Sequence, residues 1–338
     1  MSATGRPVNE VQGAEPDLSV RLGPLHLPHP LLNASGTFDA LEIARRFGPD
    51  ALRPFPFAAY VPKTVTLEAR AGNLPPRVTE TASGMVNAIG LENPGIDEFL
   101  ETLPEVAQVV TVPLIVNVGG STADDYVEVV RRVEAALADG RPDLPDVVGF
   151  ELNVSCPNVG GGLAIGTDET ETARLVERVR TLSERFLVVK LTPNVADIAA
   201  VARAAAAAGA DCVSLVNTFK ALVLEPSTLE PFLGNHTGGL CGPAIKPIAL
   251  RMVWEVAAAV EVPIIGMGGI VSGLDVLEFV ACGATAVAVG AANFLGPDVP
   301  QHILGDVRRE LLGRGMARLS EIRGRALGSV PSPTTETR

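Results

Sequence analysis

Two lysines and one cysteine occupy positions where an apolar run of sequence gives way to a loop. Lys63 closes the run AAYVPK and Lys190 closes LVVK, so both ammonium groups are expected to be buried, which is costly unless they are paired or functional. Cys156 lies in NVSCPN, where Pro157 disfavours a helical conformation at the cysteine. A buried lysine can act as a cation beside an anionic ligand or as a Schiff-base amine. A thiol, with its ordinary pKa near ~8.5, can accept a proton in a suitable site.

These residues also have plain structural interpretations. Each lysine would form an internal ion pair, and Cys156 would be an inert buried thiol, as we expect for Cys212 and Cys282. Cys241 lies in a glycine-rich loop and ranks below Cys156 as a reactive thiol.

Polar side chains and small residues occur at the ends of the remaining apolar runs. Amides offer both a donor and an acceptor, so several together suit the carbonyl and N–H edges of a flat heterocycle. The polar set is Asn33, Ser35, Thr64, Asn87, Asn117, Asn153, Asn217 and Thr218. Gly268-Gly269 and Gly290-Ala291 close the last two runs, where barrels bind phosphate through backbone N–H groups and where tight turns with φ > 0 are the alternative. No Asp/Glu/His cluster occurs at these positions, so no metal site is predicted.

The whole sequence repeats a short apolar run, a loop of small residues and an amphipathic helical segment. Runs that are apolar throughout are typical of parallel strands covered on both faces. Strands are predicted at residues 31–34, 58–64, 114–118, 147–153, 187–191, 212–216, 264–267 and 286–289. Eight such units predict an α/β protein with a (β/α)8 TIM barrel, whose functional residues lie at the carboxyl ends of the strands. An open doubly wound sheet ranks second, because no GxGxxG loop follows the first run.

Helices and domain limits follow from the same pattern. The clearest helical segments are residues 122–137, 168–186, 195–208, 243–260 and 272–282. Ser121, Thr167 and Asn194 precede three of them and are the predicted N-caps. Residues 19–329 are expected to form one barrel domain between a disordered tail at 1–18 and a polar tail at 330–338. An insertion at residues 65–95 is expected on the carboxyl-terminal rim.

Composition excludes several classes of function. The 338 residues are 47% hydrophobic and 20% charged, which is typical of a globular protein. A net charge of −12 argues against non-specific nucleic-acid binding. Neither a signal peptide nor an apolar stretch of about 18 residues is found, so no membrane association is predicted. The four cysteines lack CxxC spacing, which disfavours zinc or an iron–sulfur cluster within this chain and fits a reducing cytoplasm.

Taken together, the motifs resemble one family. GNLPPR, GMVNAIGLENPG, NVSCPN, VKLTPNV, LVNT, GGLCGPAIKPIA and IIGMGGI are similar to motifs of class 1 dihydroorotate dehydrogenases, and specifically of the subgroup 1B catalytic subunit. The resemblance runs from about Asn33 to Asn293. Class 2 members use serine as the base and carry a membrane-associating extension, so Cys156 and the polar N-terminus disfavour that class.

The resemblance implies a role for each matching residue. Cys156 would be the catalytic base, and Lys63 would reach toward both flavin and substrate. The residues implied to contact FMN are Ser35, Lys63, Thr64, Asn117, Asn153, Lys190, Val216, Gly242, Gly268, Gly269, Gly290 and Ala291. Those implied to hold the pyrimidine are Lys63, Asn87, Ala88, Ile89, Gly90, Leu91, Asn153, Asn158, Asn217 and Thr218.

The implied reaction is the oxidation of (S)-dihydroorotate to orotate in the de novo synthesis of UMP. A hydride would pass from C6 to FMN while Cys156 takes a proton from C5 on the opposite face. The resemblance also implies a homodimeric core and a separate electron-transfer subunit, carrying FAD and an iron–sulfur cluster, that delivers electrons to NAD. Two residues depart from the family pattern: Cys241 replaces the usual serine and Ala291 the usual threonine, which would remove one hydroxyl contact to the FMN phosphate.

Three other functions stay open at this point. One is a flavin barrel that acts on dihydropyrimidines such as those of uracil and thymine, although Lys63 and the segment 87–91 favour a substrate with a carboxylate. Another, from a different class, is a Schiff-base aldolase that uses Lys190 and holds no chromophore. The third is a barrel that stores flavin without turnover.

Overall fold

The computed structural model describes residues 15–138, 140–154 and 162–329, and strands and helices alternate along most of this chain. In chain order the strands are β1 (Val20–Leu22), β2 (Leu25–Leu27), β3 (Leu31–Asn33), β4 (Val78–Thr81), β5 (Gly84–Asn87), β6 (Leu114–Val118), β7 (Val147–Asn153), β8 (Phe186–Lys190), β9 (Cys212–Leu215), β10 (Phe219–Leu222), β11 (Thr237–Cys241), β12 (Ile264–Met267) and β13 (Ala286–Val289). The α-helices are α1 (Ala40–Phe47), α2 (Ile96–Val109), α3 (Ala123–Ala138), α4 (Gly162–Thr167), α5 (Glu169–Arg180), α6 (Ile198–Ala207), α7 (Lys246–Ala257), α8 (Gly273–Ala281) and α9 (Val299–Gly313).

A parallel barrel forms the centre of the molecule. Seven strands are hydrogen-bonded in the order β3-β13-β12-β9-β8-β7-β6. Residues 58–65 fill the eighth position between β3 and β6, where Ala59 pairs with Leu32 and Tyr60 with Leu114. A helix follows each of the eight segments, from α1 after β3 to α9 after β13. The predicted (β/α)8 fold is therefore confirmed.

The hydrophobic pattern explains both kinds of element. β6, β8 and β13 are buried along their whole length, as expected for strands covered on both faces. α3 buries Tyr126, Val129, Val130 and Val133, which share one helical face at spacings of three and four residues. The main core consequently lies between the barrel strands and the amphipathic helices around them.

The inside of the barrel holds a separate, smaller apolar cluster. Inward-facing residues such as Ile115, Val188 and Ile265 pack there with Phe186, the first residue of β8. β1 and β2 form an antiparallel hairpin that contributes Leu22 and Leu27 to this cluster. The hairpin closes the amino-terminal end of the barrel, so the carboxyl ends of the strands form the open end.

A second, antiparallel sheet of order β10-β11-β5-β4 is built from two insertions. β4 and β5 belong to the insertion predicted at residues 65–95, whereas β10 and β11 follow barrel strand β9 and were not predicted. β5 joins β11 through the pairs Asn87–Gly239 and Met85–Cys241. The two insertions approach so closely that a Cβ on Gly242, which has φ +94°, would lie 2.7 Å from the Cα of Gly84.

Two predicted elements differ most from the structure in extent. Residues 58–64 do not form a continuous strand but touch both neighbours through isolated bridges, because Pro62 has no N–H to donate to a ladder. The helix predicted at residues 168–186 ends at Arg180, and Phe186 instead begins β8.

The residues that cap three helices differ from the predicted N-caps. Asp168 caps α5 and Asp197 caps α6 through their side-chain oxygens, in place of Thr167 and Asn194. Before α3, Thr122 rather than Ser121 accepts the N–H of Asp125, at 3.3 Å. In each case the cap lies one to three residues later, next to the first turn that packs on the barrel.

The N-terminal boundary falls slightly earlier than predicted. Asp17 pairs with Arg318 and Leu18 is buried in the main core, so both belong to the folded chain. The other domain limits stay predictions. Within the residues that the structure describes, no helix combines the length and the apolar character needed to cross a lipid bilayer.

Candidate active site

A cavity of about 460 Å³ opens at the carboxyl ends of the barrel strands. Its volume lies in the range of small-molecule and cofactor sites. Many residues that were singled out at strand ends line it together: Ser35, Lys63, Thr64, Asn87, Ile89, Gly90, Leu91, Asn153, Lys190, Val216, Asn217, Thr218, Gly242, Gly268, Gly269, Gly290 and Ala291. Barrel closure thus gathers positions that are far apart in the sequence.

Two of the predicted contact residues do not line this cavity. Ala88 is fully buried behind the segment that carries it, in a small cluster with Val86 and Leu233. Asn117 is fully buried inside the barrel and donates from Nδ2 to Glu151 Oε2 at 2.5 Å. Neither side chain is therefore exposed in the cavity.

Two further predictions fall outside the described residues. They are Cys156, the predicted base, and Asn158, a predicted contact to the pyrimidine. Both stay predictions that rest on the motif NVSCPN.

A directed chain of hydrogen bonds crosses one wall of the cavity. Asn217 Nδ2 donates to Asn153 Oδ1, and Asn153 Nδ2 donates to Thr64 Oγ1, each at 3.2 Å. Thr64 Oγ1 lies 3.3 Å from Ser35 Oγ, which in turn donates to the carbonyl of Pro62 at 2.8 Å. Because every hydroxyl and amide in the chain has a set orientation, this wall presents a fixed pattern of donors and acceptors to a ligand.

Lys190 points into the cavity from the last position of β8 and is only 6% exposed. Within the described ranges its ammonium group makes neither a hydrogen bond nor an ion pair. An ammonium buried without a partner is strongly destabilising. The site therefore calls for an anionic or strongly accepting ligand group beside Lys190.

Lys63 approaches the cavity from the segment that closes the barrel. Gly36, with φ +74°, makes room for it: a Cβ there would lie 3.0 Å from Cδ and 3.1 Å from Nζ of Lys63. A larger residue at position 36 would displace the lysine from the cavity wall.

The turn after β12 forms part of the cavity wall. Gly268 and Gly269 have φ values of +129° and +78°, and a Cβ on Gly269 would lie 2.8 Å from the carbonyl oxygen of Gly242. The turn interpretation of these glycines is thus correct, and it leaves their backbone on the cavity wall. Gly290 is more open, because a Cβ there would meet only Ala34 at 3.6 Å.

A buried carboxylate secures this turn. Asp275 accepts the N–H groups of Val271 and Ser272 at 2.9 and 2.8 Å, and Lys246 Nζ at 2.5 Å. Burial raises the pKa of Asp275, but these hydrogen bonds outweigh it and hold the pKa below its usual value. The ion pair ties α7 to α8 on either side of the glycine turn.

The segment from Asn87 to Leu91 crosses the mouth of the cavity. Asn87 Nδ2 donates to the carbonyl of Gly239 at 3.3 Å and contacts Cys241 Sγ at 3.8 Å. Gly90 and Leu91 both have positive φ, and a Cβ on Gly90 would lie 2.7 Å from the backbone nitrogen of Asn73. The second insertion therefore supports the loop that the sequence assigned to substrate binding.

The described thiols are poorly suited to accept a proton. Burial raises the pKa of Cys212, Cys241 and Cys282, which keeps each of them protonated near neutral pH. Cys241 lines the cavity, but its lower ranking agrees with this environment. The described residues contain no group of three or more His, Cys, Asp or Glu side chains placed to bind a metal ion.

Sequence reasoning missed several residues of the site. Met85, Ile245, Met267 and Phe294 add apolar surface to the cavity, and nothing in an apolar side chain distinguishes this role from packing. Glu151 was also missed, although an acid two residues before Asn153 in an otherwise apolar strand was a usable signal.

Comparison with known proteins agrees with this geometry. The sequence profile of the dihydroorotate dehydrogenase family matches residues 17–311. Proteins described as the catalytic subunit of dihydroorotate dehydrogenase B (NAD(+)) are similar to this chain. The one from Pelobacter propionicus is 45% identical, covering 92% of this chain and 98% of that protein. The one from Anoxybacillus flavithermus is 47% identical over 91% and 96% of the respective chains.

The fold has a solved counterpart. A crystal structure of the Eimeria tenella enzyme DHODH in complex with ferulenol superposes with a TM-score of 0.75 over 94% of this chain and 90% of that one, at 22% identity. That likeness concerns the fold alone, whereas the sequence matches identify the relatives. The chain belongs to the dihydroorotate dehydrogenase family.

Proposed function

We propose that this chain is the catalytic subunit of a subgroup 1B dihydroorotate dehydrogenase, which oxidises (S)-dihydroorotate to orotate in pyrimidine synthesis with FMN as its cofactor. One observation carries the proposal: Lys190 is buried, has no hydrogen-bond or ion-pair partner among the described residues, and faces the same cavity as a fixed chain of amides. A cation beside an oriented donor–acceptor wall suits a ligand that is planar, polar at its edges and able to take negative charge.

The residues present fit FMN. The glycine turn at positions 268–269 brings backbone rather than side chains to the cavity wall, which suits a phosphate that is bound by N–H groups. Gly290 leaves open space beside it, although Ala291 brings no hydroxyl there. Lys190 would lie beside the electron-accepting ring of the flavin. When bound, FMN supplies the acceptor for the hydride that leaves C6.

The protein's residues orient the substrate and handle its proton. Lys63 would pair with the substrate carboxylate, while Asn153, Asn217 and the segment from Asn87 to Leu91 hold the ring edges. Holding the ring in one pose removes an entropic part of the barrier. The Cys156 thiolate would take the C5 proton from the face opposite the flavin, and Lys190 would stabilise the negative charge gained there.

Electrons must leave through a partner. Relatives are described as catalytic subunits of an NAD(+)-linked enzyme, which supports a second subunit here. We propose that this subunit carries FAD and an iron–sulfur cluster, that the catalytic chain forms a homodimeric core, and that the assembly works in the cytoplasm. The free thiols of Cys212, Cys241 and Cys282 fit that compartment.

The visible spectrum of the purified protein tests the proposal. We expect a flavin spectrum that bleaches on anaerobic addition of dihydroorotate and shifts when orotate, but not uracil, is titrated. A colourless protein, or one that bleaches with dihydrouracil alone, would contradict the proposed activity.

A variant at the predicted base sharpens this test. Cys156→Ala should keep its flavin yet lose turnover by roughly 10²–10⁴-fold, the range for a positioned general base. Cys282→Ala, at a half-buried thiol outside the cavity, is the matched control and should retain activity. Near-normal turnover of Cys156→Ala would show that another group takes the proton.

A further inference from the structure

A buried acid lies inside the barrel next to the proposed flavin site and has no role in the chemistry described so far. Glu151 on β7 is 3% exposed. Its Oε2 accepts from Asn117 Nδ2 at 2.5 Å and its Oε1 from Ser214 Oγ at 2.7 Å. Both donors are neutral and fully buried. Within the described ranges no cationic group lies within ion-pair distance of this carboxylate.

The register of the barrel strands places Glu151 next to Lys190. β8 lies between β7 and β9 in the sheet, so the hydrogen bond from Ser214 on β9 to Glu151 on β7 spans the strand that carries Lys190. On β8, Val188 is the register partner of Glu151, and Lys190 is the register partner of Ser214. Alternate residues of a strand share a face, so the carboxylate is held just behind the base of the lysine side chain, away from the cavity mouth.

The Glu151 carboxylate places a negative charge near the Lys190 ammonium without forming a hydrogen bond to it. A buried ammonium needs a nearby negative charge. In a direct ion pair, however, the carboxylate would take up the ammonium N–H groups. Here the oxygens of Glu151 are satisfied by Asn117 and Ser214, and Lys190 keeps its donors for a ligand in the cavity.

We propose that Glu151 is a positioning residue of the flavin site: a fixed counter-charge that moderates the positive field which Lys190 presents to the cofactor. The inference rests on the proposed function only in taking FMN as the ligand. Reduced FMN carries a negative charge that the oxidised form lacks, so the carboxylate disfavours the reduced form relative to the oxidised one. Its removal should tilt binding toward reduced FMN.

The test is the ratio of the dissociation constants of oxidised and reduced FMN. Apo-protein is titrated with oxidised FMN by fluorescence, and the midpoint potential of the bound flavin then yields the constant for the reduced form. Glu151→Gln, which keeps the shape and removes the charge, should raise the ratio by on the order of tenfold. Glu151→Asp retains the charge and should restore most of the wild-type ratio.

A surface variant controls for net charge. Glu169→Gln removes one charge from an exposed position on α5, and the ratio should stay within about twofold of wild type because solvent screens that site. If Glu151→Gln folds and its ratio matches that of Glu169→Gln, the inference is wrong.

A second variant decides the matter if Glu151→Gln does not fold. Ser214→Ala keeps the carboxylate but removes the hydrogen bond that holds it across β8, and the ratio should change by about threefold or more. An unchanged ratio would overturn the inference. Failure of the wild-type chain to bind FMN would instead refute the proposed function, so the two failures are distinguishable.

Discussion

Replacing Gly269 by alanine tests whether the turn after β12 shapes the cofactor end of the cavity. At φ +78° an L-residue pays about 1–2 kcal/mol for the left-handed conformation. The new Cβ would also lie 2.8 Å from the Gly242 carbonyl oxygen and 2.9 Å from Lys246 Cβ. Both distances are too short for real contacts, so the start of α7 must move, at a cost of about 1–3 kcal/mol.

Together these effects predict a loss of about 2–5 kcal/mol in the free energy of unfolding of the apo-protein. Thermal and urea unfolding, monitored by circular dichroism, measure this loss. Fluorescence titration should show FMN affinity weakened by on the order of tenfold or more, because the turn lines the cavity.

Gly305→Ala is the matched control for Gly269→Ala. Gly305 lies within α9, and a Cβ there would meet only the end of the Arg309 side chain at 3.8 Å. Alanine should therefore stabilise the helix by about 0.5–1 kcal/mol and leave FMN binding unchanged. Wild-type stability and wild-type FMN affinity in Gly269→Ala would refute the argument from backbone conformation and close approach.

Three further predictions concern buried polar groups. Burial and the nearby Arg308 charge lower the pKa of His29 from 6.5 to about 4 in the folded protein. The unfolded chain therefore binds the proton at a higher pH, and the stability present above pH 6.5 should be lost as the pH falls from 6.5 through 4. The loss is at most on the order of 3 kcal/mol, and urea titrations between pH 7.5 and 4 will measure it. Lys246→Met leaves Asp275 without its cation and should cost about 1–3 kcal/mol at pH 7, seen as a lower melting temperature. Tyr126→Phe removes a buried hydrogen bond of 2.9 Å to the Asn153 carbonyl and should cost about 1–2 kcal/mol with weaker orotate binding in flavin titrations.

Each of these predictions has a control. His29→Gln should flatten the acid side of the stability profile, and an unchanged profile would show that His29 does not cause the loss. Lys246→Arg keeps a cation beside Asp275 and should retain most of the stability that Lys246→Met loses. If Tyr126→Phe loses the whole predicted amount of stability but binds orotate as tightly as wild type, the position of Asn153 does not depend on the hydrogen bond from Tyr126.

Residues singled out at strand ends lie together in the structure because a barrel imposes its own geometry. Lys190 and Asn217 are 27 residues apart in sequence, yet each follows or ends a strand, and parallel strands of a closed barrel bring all carboxyl ends together. The failures were local. Pro62 interrupts the strand predicted at residues 58–64, and helix starts were misplaced because the side chain that caps a helix depends on which turn packs against the barrel.

Residue types and their spacing along the chain were enough to predict the eight-fold alternation of apolar runs and amphipathic segments, the positions of the polar strand ends and the family motifs. Folding in three dimensions set the chain of hydrogen bonds from Asn217 to Ser35, the sheet built from two separate insertions and the position of Glu151 behind Lys190. Those features depend on strand register and on distances of about 3 Å between residues far apart in sequence, and no local pattern of residues encodes such distances.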